Sequence, residues 1–160
     1  MPRHKAAPAA TTLIENVSIG PVTADDLVHV TKLDARITGT AKPDYWNRLF
    51  EGAKADPPTQ VFLVAKCEAR LIGFIVGEIR AWEFGSAPCG WIFAITVEPD
   101  ARLASIGSRL FDAVCARFRD AGVTKVRTMI ARDSQLILSF FRSQGMMAGP
   151  FVELEKDLDE

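Results

Sequence analysis

The chain has 160 residues, 48% of them hydrophobic and 24% charged, with 19 basic against 20 acidic side chains and a net charge of −1. That length suits one domain with a sizeable core that needs neither disulfide nor metal to fold. Near-neutrality argues against a nucleic-acid partner, and no apolar run approaches the roughly 20 residues of a membrane span. The basic start of the chain has no apolar stretch behind it, so it does not read as a secretory signal. Cys67, Cys89 and Cys115 are too few and too scattered for a disulfide framework or a zinc cluster. They read as buried thiols in a reducing, cytoplasmic setting. Only His4 and His29 are available, which argues against histidine-centred catalysis.

Residues 1–15 are Ala/Pro/Thr-rich and aperiodic, the pattern of a mobile arm, which leaves 16–160 as a single domain. Residues 17–20 (VSIG) read as a short strand. Thr23 and Asp26 resemble a capping box that opens a helix to about Asp34, with Leu27, Val30 and Leu33 on one face. Pro43 is a good first-turn residue for a second helix, whose apolar face is Trp46, Leu49 and Phe50; Pro57 and Pro58 stop it. VFLVAK (61–66) and LIGFIVGEIRAW (71–82), split by a short polar segment, predict an antiparallel hairpin. WIFAITV (91–97) predicts a third strand after a turn-rich connection.

An amphipathic helix follows from about Ile106 to Ala121, with Leu110, Phe111, Val114, Cys115 and Phe118 in one stripe and Gly122 as its stop. Residues 123–131 predict a strand, Ser134–Gln144 a helix ended by Gly145, and 149–158 a closing strand. The hairpin meander in the middle disfavours a doubly wound nucleotide fold and points to an α+β fold with a mixed, mostly antiparallel central sheet flanked by helices.

The stretch 94–111, AITVEPDARLASIGSRLF, carries the chemistry. A strand ends at Val97, a Glu98-Pro99 turn follows, and a loop with Arg102 and Gly107 runs into a helix. A helix start leaves backbone N–H groups unpaired and bears partial positive charge, which suits a phosphate or pyrophosphate. Arg102 would add charge, and Ala104, Ser105, Gly107 and Ser108 would let the backbone approach closely. Taken alone, the segment is equally well an ordinary strand-to-helix connection.

This arrangement resembles the GCN5-related N-acetyltransferase (GNAT) superfamily, whose members bind acetyl-CoA and transfer acetyl to an amine. Its signature is a strand, a Val-x-Pro turn and Arg/Gln-x-x-Gly-x-Gly/Ala at the start of a long helix. Val97-Glu98-Pro99 and Arg102-Leu103-Ala104-Ser105-Ile106-Gly107 occupy those places. Residues 138–146 (LSFFRSQGM) resemble the second motif, and the order of elements matches over roughly 17–156. Two departures stand out. Ser105 replaces the first glycine of the loop and takes positive φ less readily. Phe141 stands where many relatives carry a tyrosine thought to protonate the leaving thiolate, and a phenyl ring donates no proton. Tyr45 is the only tyrosine.

The resemblance implies direct attack of an amine on acetyl-CoA, with acetyl-CoA as cosubstrate and no metal. The backbone groups of Ile95 and Val97 would hold the pantetheine arm, and an N–H there, placed at Ile95, would polarise the thioester; the alternative is ordinary ladder pairing. The amides of Leu103, Ala104, Ser105, Ile106, Gly107 and Ser108, with Arg102, would hold the pyrophosphate. Glu83 is the best remaining carboxylate for proton transfer through water or for binding a cationic acceptor; the alternative is a solvated loop charge. Trp46, Phe50, Trp82, Phe84, Trp91 and Phe93 either line an acceptor site for a hydrophobic or aryl amine or a protein lysine, or pack in the core. No acidic cluster suits polycationic acceptors. The resemblance also allows a homodimer, and Phe141 and Ser105 keep open a catalytically silent acetyl-CoA-binding regulatory module.

Overall fold

The computed structural model describes residues 16–159, with the backbone alone at 102–104; the expected N-terminal arm and the Arg102 side chain lie outside the described part. Contacts divide the chain into two compact units, Met1–Met129 and Ile130–Glu160, described separately. In the first, the elements are β1 (Val17–Pro21), a 3₁₀ turn (Ala24–Asp26), α1 (Leu27–Thr38), α2 (Pro43–Ala55), β2 (Gln60–Cys67), β3 (Arg70–Arg80) and β4 (Cys89–Val97), then α3 (Ile106–Asp120) and β5 (Val126–Thr128). The five strands form one sheet in the order β1-β2-β3-β4-β5. All neighbours are antiparallel except β4 and β5, which run parallel.

β2 and β3 are buried along nearly continuous apolar runs because helices cover both faces. Phe62, Val64, Phe74 and Val76 face α1 and α2, and form one core with Val30, Leu33 and Trp46. The other face carries glycines because α3 sits almost on the backbone. A Cβ at Gly73 would stand 3.2 Å from a Leu110 methyl, and one at Gly90 would stand 2.3 Å from the Phe118 ring. The Thr23–Asp26 cap is present: the Thr23 N–H and hydroxyl donate to Asp26 Oδ2 at 2.8 and 2.9 Å. Lys66 Nζ adds an ion pair at 2.7 Å to Asp26 Oδ1. Burial would raise the Asp26 pKa, but the hydrogen bonds from Lys66 and Thr23 outweigh it and hold the carboxyl below its ordinary value.

The second unit contains α4 (Gln135–Ser143). Its Phe141 is buried, with the ring 5.1 Å from that of Phe140. The closing strand expected at 149–158 is not formed: no strand follows α4 among the described residues, and Val152, Leu154 and Leu158 are exposed. Alternation supplies a strand's faces but not its neighbour, and without a ladder the segment has nothing to pair with.

Candidate functional site

The site begins where β4 leaves β5. Their pairing covers only Gly90↔Val126, Trp91↔Arg127 and Ile92↔Thr128. At its end the Thr128 hydroxyl donates to the Ile92 carbonyl at 2.8 Å. The next residue, Phe93, is skipped in the register with β3, since Val76 pairs with Ala94 and Gly77 with Ile92. That bulge bends β4 at the point where its outer neighbour stops.

Beyond the bulge, the ladder fixes which backbone groups face outward. The Glu98 N–H donates to the Ile72 carbonyl at 2.8 Å. The register runs Gly73↔Val97, Phe74↔Thr96 and Ile75↔Ile95. Hydrogen-bonded and non-bonded pairs alternate in an antiparallel ladder, so Thr96 bonds to β3 while Ile95 and Val97 direct their N–H and C=O away from it. They point to the side where β5 has ended.

β4 runs through Glu98 into a 3₁₀ helix (Pro99–Ala104) and then α3. The hinge residue is Ser105, at φ 56° and ψ 27°, in the left-handed region where glycine is the easy occupant. Its carbonyl accepts the first intrahelical bond, from the Arg109 N–H at 3.1 Å. The amides of Ile106 and Gly107 belong to the first turn, which precedes any acceptor within the helix. No acidic side chain occupies that turn, so nothing on α3 itself neutralises the positive end of its dipole.

The turn before this helix start is held by two ion pairs. Glu98, 8% exposed, pairs with Arg36 of α1. Asp100 pairs with Arg70, the first residue of β3, at 3.4 Å. Both arginines and Glu98 line an open groove of about 760 Å³ together with His29 and Lys32.

The structure separates the six aromatic candidates. Trp46 is 2% exposed and stacked among Tyr45, Phe62 and Phe74, and Phe50 packs against the same core. Trp91 lies under the Arg80 guanidinium, 4.6 Å from the ring centroid. Trp82 and Phe84 are exposed at 70% and 110%, and Phe93 lies at the margin of exposure at the bulge. Trp82 and Phe84 both have positive φ, at 63° and 48°, unusual for aromatic residues. Their loop is closed by hydrogen bonds from Trp82 N–H to Ser86 C=O and from Ser86 N–H to Glu83 C=O, at 2.8 and 2.9 Å. Arg127 reaches in from β5 to donate to Ser86 Oγ at 3.0 Å and Cys89 Sγ at 3.4 Å.

Glu83 sits in this loop, largely exposed, with Oε1 4.0 Å from Arg80 Nε, which is more closely paired with Glu78 at 2.8 Å. Arg80 and Ile75, the partner of Ile95, are five residues apart on β3, or about 17 Å along the strand. The loop bearing Glu83 thus begins well along β3 from the Ile75–Ile95 pair. Sequence reading missed the Phe93 bulge, the Thr128 hydroxyl at the fork and the Arg36–Glu98 pair. The pair joins residues 62 positions apart, beyond any local pattern.

A strand parts from its parallel neighbour here and runs, through a turn, into the start of α3. A sequence profile of the acetyltransferase (GNAT) family matches residues 27–146. The chain belongs to that family, whose members are acetyl-CoA-dependent N-acetyltransferases. A search among curated proteins finds no sequence match. Among solved structures, the aminoglycoside N-acetyltransferase AAC(6')-Iy in complex with CoA is similar, with a TM-score of 0.76 and 18% identity over 89% of this chain and 95% of that one. The aminoglycoside 6'-N-acetyltransferase AAC(6')-Ih from Acinetobacter baumannii has a TM-score of 0.74 and 18% identity over 89% and 99%. A transcriptional regulator from Bacillus halodurans has a TM-score of 0.73 and 20% identity over 89% and 99%. At these identities the likeness is one of fold.

Proposed function

We propose that this chain transfers the acetyl group of acetyl-CoA to a primary amine by direct attack. The observation that carries this reading is the fork at Ile92, beyond which β4 turns the backbone of Ile95 and Val97 outward and leads into the α3 start. Ile95 and Val97 hold the pantetheine amides, and the Ile95 N–H polarises the thioester carbonyl. The pyrophosphate lies on the amides of residues 103–108, with Arg102 as its cation. The amine nitrogen attacks the carbonyl carbon, the C–S bond breaks and the CoA thiolate leaves; the ammonium gives up one proton to solvent and the thiolate takes one up. No metal takes part.

Glu83 lies in the loop that follows β3, its carboxylate near Arg80. It acts on the acceptor, by binding its ammonium group or through a chain of water. The exposed Trp82 and Phe84 beside it suit a hydrophobic or aryl amine, or the stem of a protein lysine. Two fold neighbours are aminoglycoside N-acetyltransferases, so aminoglycosides are the contrasting acceptor class in the test.

The test is thiol release from acetyl-CoA with a panel of aryl amines, lysine peptides and aminoglycosides. Turnover with any of them, rising with amine concentration, is expected. Phe141 supports a second reading, a catalytically silent acetyl-CoA-binding module, because its ring cannot protonate a thiolate. Tight acetyl-CoA binding with no turnover across the panel would favour that reading.

A further inference from the structure

The segment that opens the cofactor loop, Glu98-Pro99-Asp100, places two carboxylates just ahead of a helix start assigned to a pyrophosphate. Such charges oppose an anion. Each is matched by an arginine from a different element: Arg36, in the last turn of α1, meets Glu98, and Arg70, opening β3, meets Asp100. The two pairs are unequal. Arg70 and Asp100 are both well exposed, so solvent and salt already screen them. Glu98 is buried, and Arg36 is the cation the structure gives it.

From this geometry we infer that Arg36 is a positioning residue for acetyl-CoA: it neutralises Glu98 and fixes the turn from which the cofactor loop departs, without touching the cofactor. The inference rests on the proposed cofactor loop. The 3₁₀ helix Pro99–Ala104 puts seven residue steps between Glu98 and Ser105, about 14 Å of rise. An unmatched charge at that distance from a doubly charged pyrophosphate, partly screened, weakens binding on the order of fivefold. The effect comes from charge, so removing the carboxylate as well must cancel most of it.

The experiment measures acetyl-CoA affinity by calorimetry for the wild type, Arg36→Gln, Glu98→Gln, Arg36→Lys and the Arg36→Gln/Glu98→Gln double variant. Turnover of acetyl-CoA is compared with that of S-acetylpantetheine, which lacks the phosphates. Arg36→Gln should raise Kd and KM for acetyl-CoA about fivefold, with kcat and the KM for S-acetylpantetheine held within twofold. Arg36→Lys should stay near wild type, and the double variant should return to within twofold of Glu98→Gln. An Arg36→Gln variant with unchanged Kd, or a double variant as weak as the single one, overturns the inference. So does an equal loss with S-acetylpantetheine, which marks a merely structural role. A wild-type chain that fails to bind acetyl-CoA refutes the cofactor-loop assignment itself, a result distinct from all of these.

Discussion

Replacing Ser105 with glycine isolates the hinge between β4 and α3. Ser105 sits at φ 56° and ψ 27°, near the centre of the left-handed region. A residue with a Cβ there is disfavoured by about 1–2 kcal/mol. Glycine escapes that strain but loses about 0.5–1 kcal/mol more in chain entropy on folding. The difference leaves Ser105→Gly more stable by roughly 0.5–1 kcal/mol, or about 1–4 °C in Tm for a domain of this size. Ser105→Val should move the other way, by about 1–2 kcal/mol, because a β-branched side chain is worse placed still. Thermal melts followed by circular dichroism read both variants. Calorimetry with acetyl-CoA reads function: the backbone N–H survives the change to glycine, so Kd should stay within threefold of wild type. A Ser105→Gly variant that melts lower, beside a well-tolerated Ser105→Val, would refute the left-handed hinge. A loss of affinity beyond tenfold in Ser105→Gly would move phosphate binding from the backbone to the hydroxyl.

Three further outcomes follow from packing and charge. Gly90→Ala puts a methyl 2.3 Å from the Phe118 ring, so urea unfolding should show a loss of about 1–3 kcal/mol, partly recovered by adding Phe118→Leu. Asp26→Asn should lose about 1–2 kcal/mol at pH 7, because Asp26 is held by Lys66 and Thr23. The folded pKa of Asp26 lies below its ordinary 3.8, so the carboxylate's contribution is present above that value and disappears as pH falls through the folded pKa. Urea melts should therefore show wild type and Asp26→Asn converging in strong acid, and a gap that persists there would contradict the assignment. Among the thiols, Cys67 is half-buried, whereas Cys115 is buried, and desolvation raises its pKa despite Arg119 nearby. Alkylation at pH 8 read by mass spectrometry should modify Cys67 before Cys115.

Much of the framework was legible because it is written in local patterns. The hairpin of β2 and β3, Pro43 at the start of α2 and the apolar stripe of α3 all rest on residues within a few turns of each other. The position of the helix start after Val97-Glu98-Pro99 was legible for the same reason. What escaped depends on partners distant in sequence. Residues 149–158 alternate like a strand, yet no strand forms there among the described residues. β5 shrinks to Val126–Thr128 because pairing with β4 stops at the fork, a fact of the sheet rather than of residues 123–131. The contact of Glu83 with Arg80 depends on the path of the loop after β3, which no local pattern supplies. Trp46 and Trp82 are alike in type, and only the fold decides that one is core and the other surface. The outward turn of Ile95 needed the register with β3 and the Glu98–Ile72 bond, neither visible before the strands were paired.

Amide hydrogen exchange with and without acetyl-CoA tests the central assignment most directly, because it reads the backbone groups on which the site depends. Added acetyl-CoA should slow exchange at Ile95 and Val97 on β4 and at residues 103–108 leading into α3, while β1 and β2 stay as they were. Binding that leaves those amides unchanged and protects the groove around His29 and Lys32 instead would contradict it.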